Sequence, residues 1–155
     1  TELRPRLQEE LGKGNVLGTW PLVWDSQVKT PSSTRFVDAF VKKYGKPPEN
    51  QAWGDYLSTK HIAQAMNELK TTDSTKIADH LEKGAKFDVL KTREGYYRNW
   101  DHQLMQEMYT IRFKPANEVT NKWELFTLSA PVPGANQSLE IIAPTREDNA
   151  CTMPA

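Results

Sequence analysis

Proton transfer needs a carboxylate and an imidazole that can reach one another or a common substrate. The sequence sets the two types side by side once, at Asp101–His102 in GYYRNWDHQLMQEMYTIRF, residues 95–113. As a pair they would be a general acid and base. In an extended segment, however, neighbouring side chains point to opposite faces, so these two would not easily meet. A Ser-His-Asp triad needs three groups converging from distant parts of the chain, and the strained G-x-S-x-G elbow that presents such a serine is missing. A hydrolase working through His102 is therefore the weakest reading. His61, His80 and His102 share no metal-ligand spacing, and His61 and His80 fall on different predicted helices. Neither H-E-x-x-H nor paired cysteines occur, so no metal is expected. GKGN is too short for a phosphate-cradling loop, and no cofactor is expected. The one cysteine, Cys151 in REDNACTMPA, has no partner in the chain. It is either an unpaired surface thiol or half of a bridge to another segment.

Binding chemistry has better material. Trp20, Trp24 and Trp53 fall near the ends of predicted elements. Ligand clefts in α/β proteins form at such ends, and aromatic rings line them. Taken singly, each ring is better explained by filling a core short of aliphatic residues.

The elements that would position these residues follow from hydrophobic spacing. ELRPRLQEELGKG carries Leu3, Leu7 and Leu11 on one helical stripe ended by Gly12 and Gly14. NVLGTWPLVW reads as a short buried strand entering a loop. TPSSTRFVDAFVKKYGKPP is the clearest helix. Ser32 or Ser33 caps it, Phe36, Val37, Phe40, Val41 and Tyr44 share a face, and Gly45 with Pro47–Pro48 ends it. ENQAWGDYLSTKHIAQAMNELK predicts a longer helix with Trp53, Tyr56, Leu57, Ile62, Ala65, Met66 and Leu69 inward. TDSTKIADHLEKG predicts a third, capped by Asp73, stopped at Gly84, with Ile77, Ala78 and Leu81 inward. The period then changes. FDVLKTREGYYRNWD and QLMQEMYTIRF read as extended, the latter with Met105, Tyr109, Ile111 and Phe113 on one side and Glu107 as the exception. NKWELFTLSA is one more strand or a helical turn. From Pro131 a tail rich in Pro, Gly, Asn and Ser runs over a surface. No repeat or low-complexity segment interrupts this order.

At 155 residues the chain is one domain's worth. Its 31 Leu, Ile, Val and Phe residues form a thin core, near the level at which a missing partner becomes worth considering. Twenty basic and twenty acidic side chains cancel, so no broad attraction to nucleic acid or anionic membrane is expected. No apolar run is long enough to span a bilayer, and no signal segment opens the chain. It begins with Thr1, which suggests a processed or excised chain.

Three landmarks in order carry a resemblance: GNVLGTWPLVWD, then FVDAFVKKYGKPPENQAWGDYLSTKHIAQAMNEL, then DSTKIADHLEKGAKFDVLKTREGYYRNWDHQLMQEMYTIRF. Within them stand Tyr44-Gly45-Lys46-Pro47-Pro48 closing a helix, Trp53 and Tyr56 near the start of the next, Leu81 and Gly84 closing a short one, and Gly95 with Asp101-His102-Gln103 in a return segment. In this order they resemble the C-terminal part of type I periplasmic solute-binding proteins of the branched-chain amino acid class, which serve ABC importers.

The resemblance implies an α/β fold: three helices followed by return strands, making part of one or both lobes of a three-layer α/β/α protein when complete. Residues 1–128 would be the C-terminal portion, one lobe plus a crossing to the other, and 129–155 an extended polar tail. It implies a non-enzymatic, periplasmic binding subunit that captures a small organic solute, an amino acid or an aromatic or carboxylate compound, in an interlobe cleft. A membrane permease would be its partner, and an N-terminal segment of the same protein, or a second copy of the chain, would complete it. Trp53, Tyr56, Trp20 and Trp24 would contact the solute. Asp101–Gln103 would be structural, a return crossing between lobes. The alternative is a stand-alone α+β interaction domain or a ligand-sensing regulatory domain.

Overall fold

In the computed structural model, residues 3–14 and 18–149 are described. Cys151 lies outside them. The elements run α1 (Leu3–Gly12), β1 (Thr19–Leu22), α2 (Pro31–Tyr44), α3 (Asn50–Leu69), α4 (Ser74–Glu82), β2 (Tyr96–Tyr97), β3 (Leu104–Met105), β4 (Tyr109–Phe113) and β5 (Phe126–Leu128), with 3₁₀ turns at Ala116–Glu118 and Leu139–Ile142. This is a mixed α/β arrangement.

α2 begins where Pro31 fixes the first helical φ, which leaves Thr30 extended at φ −87°, ψ 158°. Thr30 Oγ1 then accepts from the Ser33 amide at 3.2 Å. The cap is therefore Thr30, not Ser32 or Ser33. Gly45 ends the helix with φ +69°, a conformation glycine adopts without Cβ strain, and its amide bonds Val41 O at 2.8 Å.

α3 buries Trp53, Leu57, His61 and Ala65, a row of strict i, i+4 spacing. Tyr56, Ile62 and Leu69, expected inward, are exposed. His61 replaces them: its ring lies 4.5 Å from the Phe87 ring, and Nδ1 meets the Tyr97 hydroxyl at 3.2 Å. α4 is capped by Asp73, which accepts from Thr75 and Lys76 amides, and it buries Ile77 while Ala78 is exposed.

β1 is an edge strand and not a buried one. The sheet order is β1-β4-β5, antiparallel throughout, with Trp20 opposite Ile111, Leu22 opposite Tyr109 and Phe113 opposite Phe126. Edge position is what lets Pro21 sit in a strand, since no ladder donor is needed on its open side. β2 and β3 form a hairpin. At Gly95 a Cβ would stand 2.8 Å from Met105 O, so only glycine lets the strands approach there. Asp101 lies in the hairpin turn and His102 follows with φ +58°, so this segment is a turn and not an extended strand.

Two clusters make the core. Trp24, Val28, Trp53, Leu57, Val89, Leu90 and Tyr109 form the first, and Leu11, Ile111, Leu125 and Phe126 the second. β4 contributes to both, which ties α1 on one side to α3 on the other. Glu107, read as an exception to the apolar side of its segment, does point inward and is buried. The tail is pinned as well as surface-lying: Met108 and Val132 exchange backbone bonds at 2.7 and 2.8 Å, and Arg93 donates to the carbonyls of Pro133, Ala135 and Gln137.

Candidate ligand-binding groove

A cavity of about 280 Å³ lies where the sheet meets the start of α3. The sheet supplies Trp20, Leu22, Ile111, Phe113 and Phe126, and α1 supplies Leu7. Trp24 and Asp25 enter from the loop after β1, and Glu49, Asn50 and Gln51 from the first turn of α3. The composition is that of a small-molecule site: apolar walls with a few polar groups.

Two of the four tryptophan and tyrosine candidates line this groove. Trp20 does so from the edge strand and is 53% exposed. Trp24 is fully buried, with its indole Nε1 lacking an acceptor among the described residues. Trp53 stands behind it. The two indoles stack at 6.1 Å and 6°, and Trp53 Nε1 donates to Val89 O at 3.0 Å, so Trp53 fixes the plane of Trp24. Tyr56 sits elsewhere, stacked 4.6 Å from Phe36 on the face shared by α2 and α3.

Behind the indoles is a polar centre with no signal in sequence spacing. Lys91 is buried, with Nζ 4.9 Å above Trp53, 5.6 Å above Tyr109 and donating to the Glu107 backbone carbonyl. Burial lowers its pKa to about 7, against the pull of the Glu107 carboxylate. That carboxylate accepts from the amides of Thr92 and Arg93 and from Arg93 Nε at 3.1 Å. Tyr109 is pushed up to about 12, by burial first and by Glu107 second. Only the position of Glu107 among apolar neighbours could have hinted at this centre.

Asp101 and His102 do not form a pair. Arg98 holds Asp101, with Nε to Oδ1 at 3.0 Å and a second bond from Nη2 to Oδ2. Burial alone would raise the pKa of Asp101, yet the bonds from Arg98 and the Gln103 amide bring it below the ordinary value. His102 Nδ1 instead meets Glu82 of α4. In the wider cavity beside this hairpin, about 790 Å³, Arg98 also bonds Glu140 at 3.0 Å, and Tyr96 donates to the same carboxylate. The described residues hold no cluster of His, Cys, Asp or Glu that could bind a metal.

Residues 5–118 match the family model for periplasmic binding proteins. The chain belongs to that family. Among curated proteins, a Leu/Ile/Val-binding protein homolog of Brucella suis biovar 1 (strain 1330) is 30% identical over 79 residues, half of this chain and 20% of that protein. A periplasmic binding protein from Burkholderia mallei superposes with TM-score 0.72 at 24% identity, over 87% of this chain and 34% of its own. The amino acid ABC transporter substrate-binding protein of Pseudomonas fluorescens Pf-5 does so with TM-score 0.68 at 25% identity, over 81% and 34%. This periplasmic binding protein chain thus spans about a third of the length of its solved relatives. Those relatives are binding proteins. No helix among the described residues is long and apolar enough to cross a membrane.

Proposed function

We propose that the chain is the C-terminal portion of the substrate-binding component of an ABC importer, and that its groove is the share it contributes to an interlobe site for a small organic solute. The single observation that carries this is the groove itself. In a member of the periplasmic binding protein family, the cavity between α1, the sheet and the start of α3 is apolar and holds two tryptophans. Trp20 and Trp24 would contact the solute, Trp53 would hold Trp24 in place, and Tyr56 would serve the face of α2 and α3. The apolar walls and indoles suit the apolar part of such a solute, and the only charged side chains of the lining, Asp25 and Glu49, suit an amino group and not a carboxylate. No bond-making step is assigned to any residue. The setting would be the periplasm, with a membrane permease as the receiving partner.

Calorimetric titration of the protein, together with any polypeptide that purifies with it, against the standard amino acids and simple aromatic carboxylates tests the reading. Saturable binding is expected, weakened roughly tenfold by Trp20→Ala. Binding by none of these solutes, or unchanged affinity in Trp20→Ala, refutes the assignment of the groove.

A further inference from the structure

His61 is sealed in the interior, 1% exposed, while His80 and His102 are open to solvent. Segments far apart in the chain close around it. The Phe87 ring lies 4.5 Å from the imidazole at 34°, and the Tyr97 ring of β2 stands edge-on to it at 6.1 Å and 90°. Phe87 and Tyr97 meet each other at 5.6 Å, so the imidazole completes a cluster of three rings. Phe87 also exchanges backbone bonds with Gly95 at 2.8 and 2.9 Å, at the entry to the β2–β3 hairpin. The cluster therefore fastens the hairpin to α3.

The hydrogen bonds at the ring suit a neutral imidazole and not a cation. Nδ1 meets the Tyr97 hydroxyl at 3.2 Å, and Nε2 is buried with no hydrogen-bond partner among the described residues. Neutral imidazole has one N–H and one lone pair, and a hydroxyl can serve either, so a single weak orphan remains. Imidazolium has two N–H donors. Tyr97 can accept from one, and the other is left carrying its share of a full charge among rings. The charged groups that act on the ring are Lys60 of its own helix and Asp88 beyond Phe87, themselves an ion pair at 3.7 Å. Burial is the largest influence and disfavours the cation. Asp88 favours it through its backbone and its carboxylate, Lys60 opposes it, and the outcome is a His61 pKa below 6.5. Tyr97 is pushed up by burial, so its hydroxyl keeps its proton. From α4 come two further pairs, His80 with Glu68 of α3 at 2.8 Å and Glu82 with His102 of the hairpin. Both reach solvent, and they tighten in acid, a small effect of opposite sign.

We infer that His61 is an acid-sensitive latch, which holds the β2–β3 hairpin on α3 while the imidazole is neutral and releases it once the ring has taken up a proton. The proton is captured from solvent during a transient opening, and the charged ring cannot then return to a site with no acceptor for its second N–H. An open form titrates near 6.5 and the closed form lower, so the open fraction grows as pH falls below 6.5 and is unaffected by this group above it. The hairpin does not open alone. Arg98 donates from it to the Glu140 carboxylate and to the Pro144 carbonyl, each at 3.0 Å, so the 3₁₀ turn at Leu139–Ile142 is released with it. The buried residues of both core clusters lie outside the hairpin, so the rest of the fold is left in place. The inference is independent of whether the groove holds a solute.

The test is hydrogen exchange at pH 7.5 and pH 5 on the protein, together with any polypeptide that purifies with it, read as protection factors so that the intrinsic pH dependence of exchange cancels. The amides of Phe87, Gly95 and Arg98, which bond Gly95 O, Phe87 O and Gln103 O, report on the hairpin. Their protection should fall about tenfold or more on acidification, with the amides of α2 unchanged. His61→Phe keeps a third ring in the cluster and cannot titrate, so it should hold the protection at both pH values. His61→Gln, which cannot titrate either, takes its place if the ring exchange prevents folding. His102→Gln should leave the acid response as it is in the wild type. A loss that persists without a titrating group at position 61 overturns the inference, and so does a loss shared by α2, which would be global acid unfolding. The wild type is decisive by itself as well: hairpin amides that keep their protection at pH 5 while the His61 ring titrates at the value of a free histidine would show that the site accepts the charge.

Discussion

Lys91 is the residue whose burial has the plainest consequence in solution. Its ammonium is held between two rings with its pKa brought to about 7 by burial, while in the unfolded chain it titrates near its ordinary value of 10.5. Between those values the unfolded state binds the extra proton. Stability therefore rises as pH climbs from about 7 toward about 10, and it is lowest, and flat with respect to this group, below 7. Tyr96 and Tyr109, both pushed up to about 12, act oppositely above pH 10, because only the unfolded chain then loses their protons. Urea midpoints at pH 6, 7.5 and 9 should increase in that order, with a total gain of a few kcal/mol. Lys91→Met should flatten the slope and raise stability most at pH 6. A wild-type midpoint independent of pH over this range would mean that Lys91 keeps its solution pKa. None of this was legible in KTREG, because the two rings and the carbonyl around Nζ come from distant segments. The separation of Asp101 from His102 was legible in part: adjacency argued against a pair, but the turn and the Arg98 and Glu82 partners came from the fold.

For single elements, the helices and the extended segments that hold β1, β3 and β4 were readable, but the edge position of β1 and the turn at Asp101–His102 were not. α2 showed its stripe and its Gly45 stop, and α4 its Asp73 cap, because each is written within a few neighbouring residues. The cap of α2 was displaced to Thr30 because Pro31 dictates where helical φ begins. Thr30→Ala should cost about 1 kcal/mol by chemical denaturation. Ser33→Ala should cost nothing, since its buried hydroxyl has no partner among the described residues, and removing an unpaired polar group is neutral or favourable. Equal losses at the two positions would return the cap to Ser33. His61 was missed on α3 because polar type argued against burial while the i, i+4 row required it. The Trp, Leu and Val of NVLGTWPLVW predict a buried β1, but strand pairing decides burial and two or three ladder bonds leave no periodicity to read.

Across the whole molecule, Glu107 joins the interior to the tail. Arg93 is the link, with Nε on the Glu107 carboxylate at 3.1 Å, Nη1 on Gln137 O at 2.7 Å and Nη2 on Pro133 O at 2.9 Å. Only a guanidinium presents donors to a carboxylate and several carbonyls at once. The ordered landmarks of the sequence sufficed for the α/β fold and family, yet the tail read as merely polar because its contacts are backbone carbonyls, which any composition supplies. Arg93→Ala removes one of three donors from a buried carboxylate and frees residues 131–137. The expected cost is about 2–3 kcal/mol, with faster proteolysis confined to the tail. Arg93→Lys should recover part of the stability, through the ion pair, and little of the tail protection, because one ammonium cannot span the carboxylate and the carbonyls of Pro133 and Gln137. Equal recovery of both would mean that charge, and not the geometry of the fork, fastens the tail.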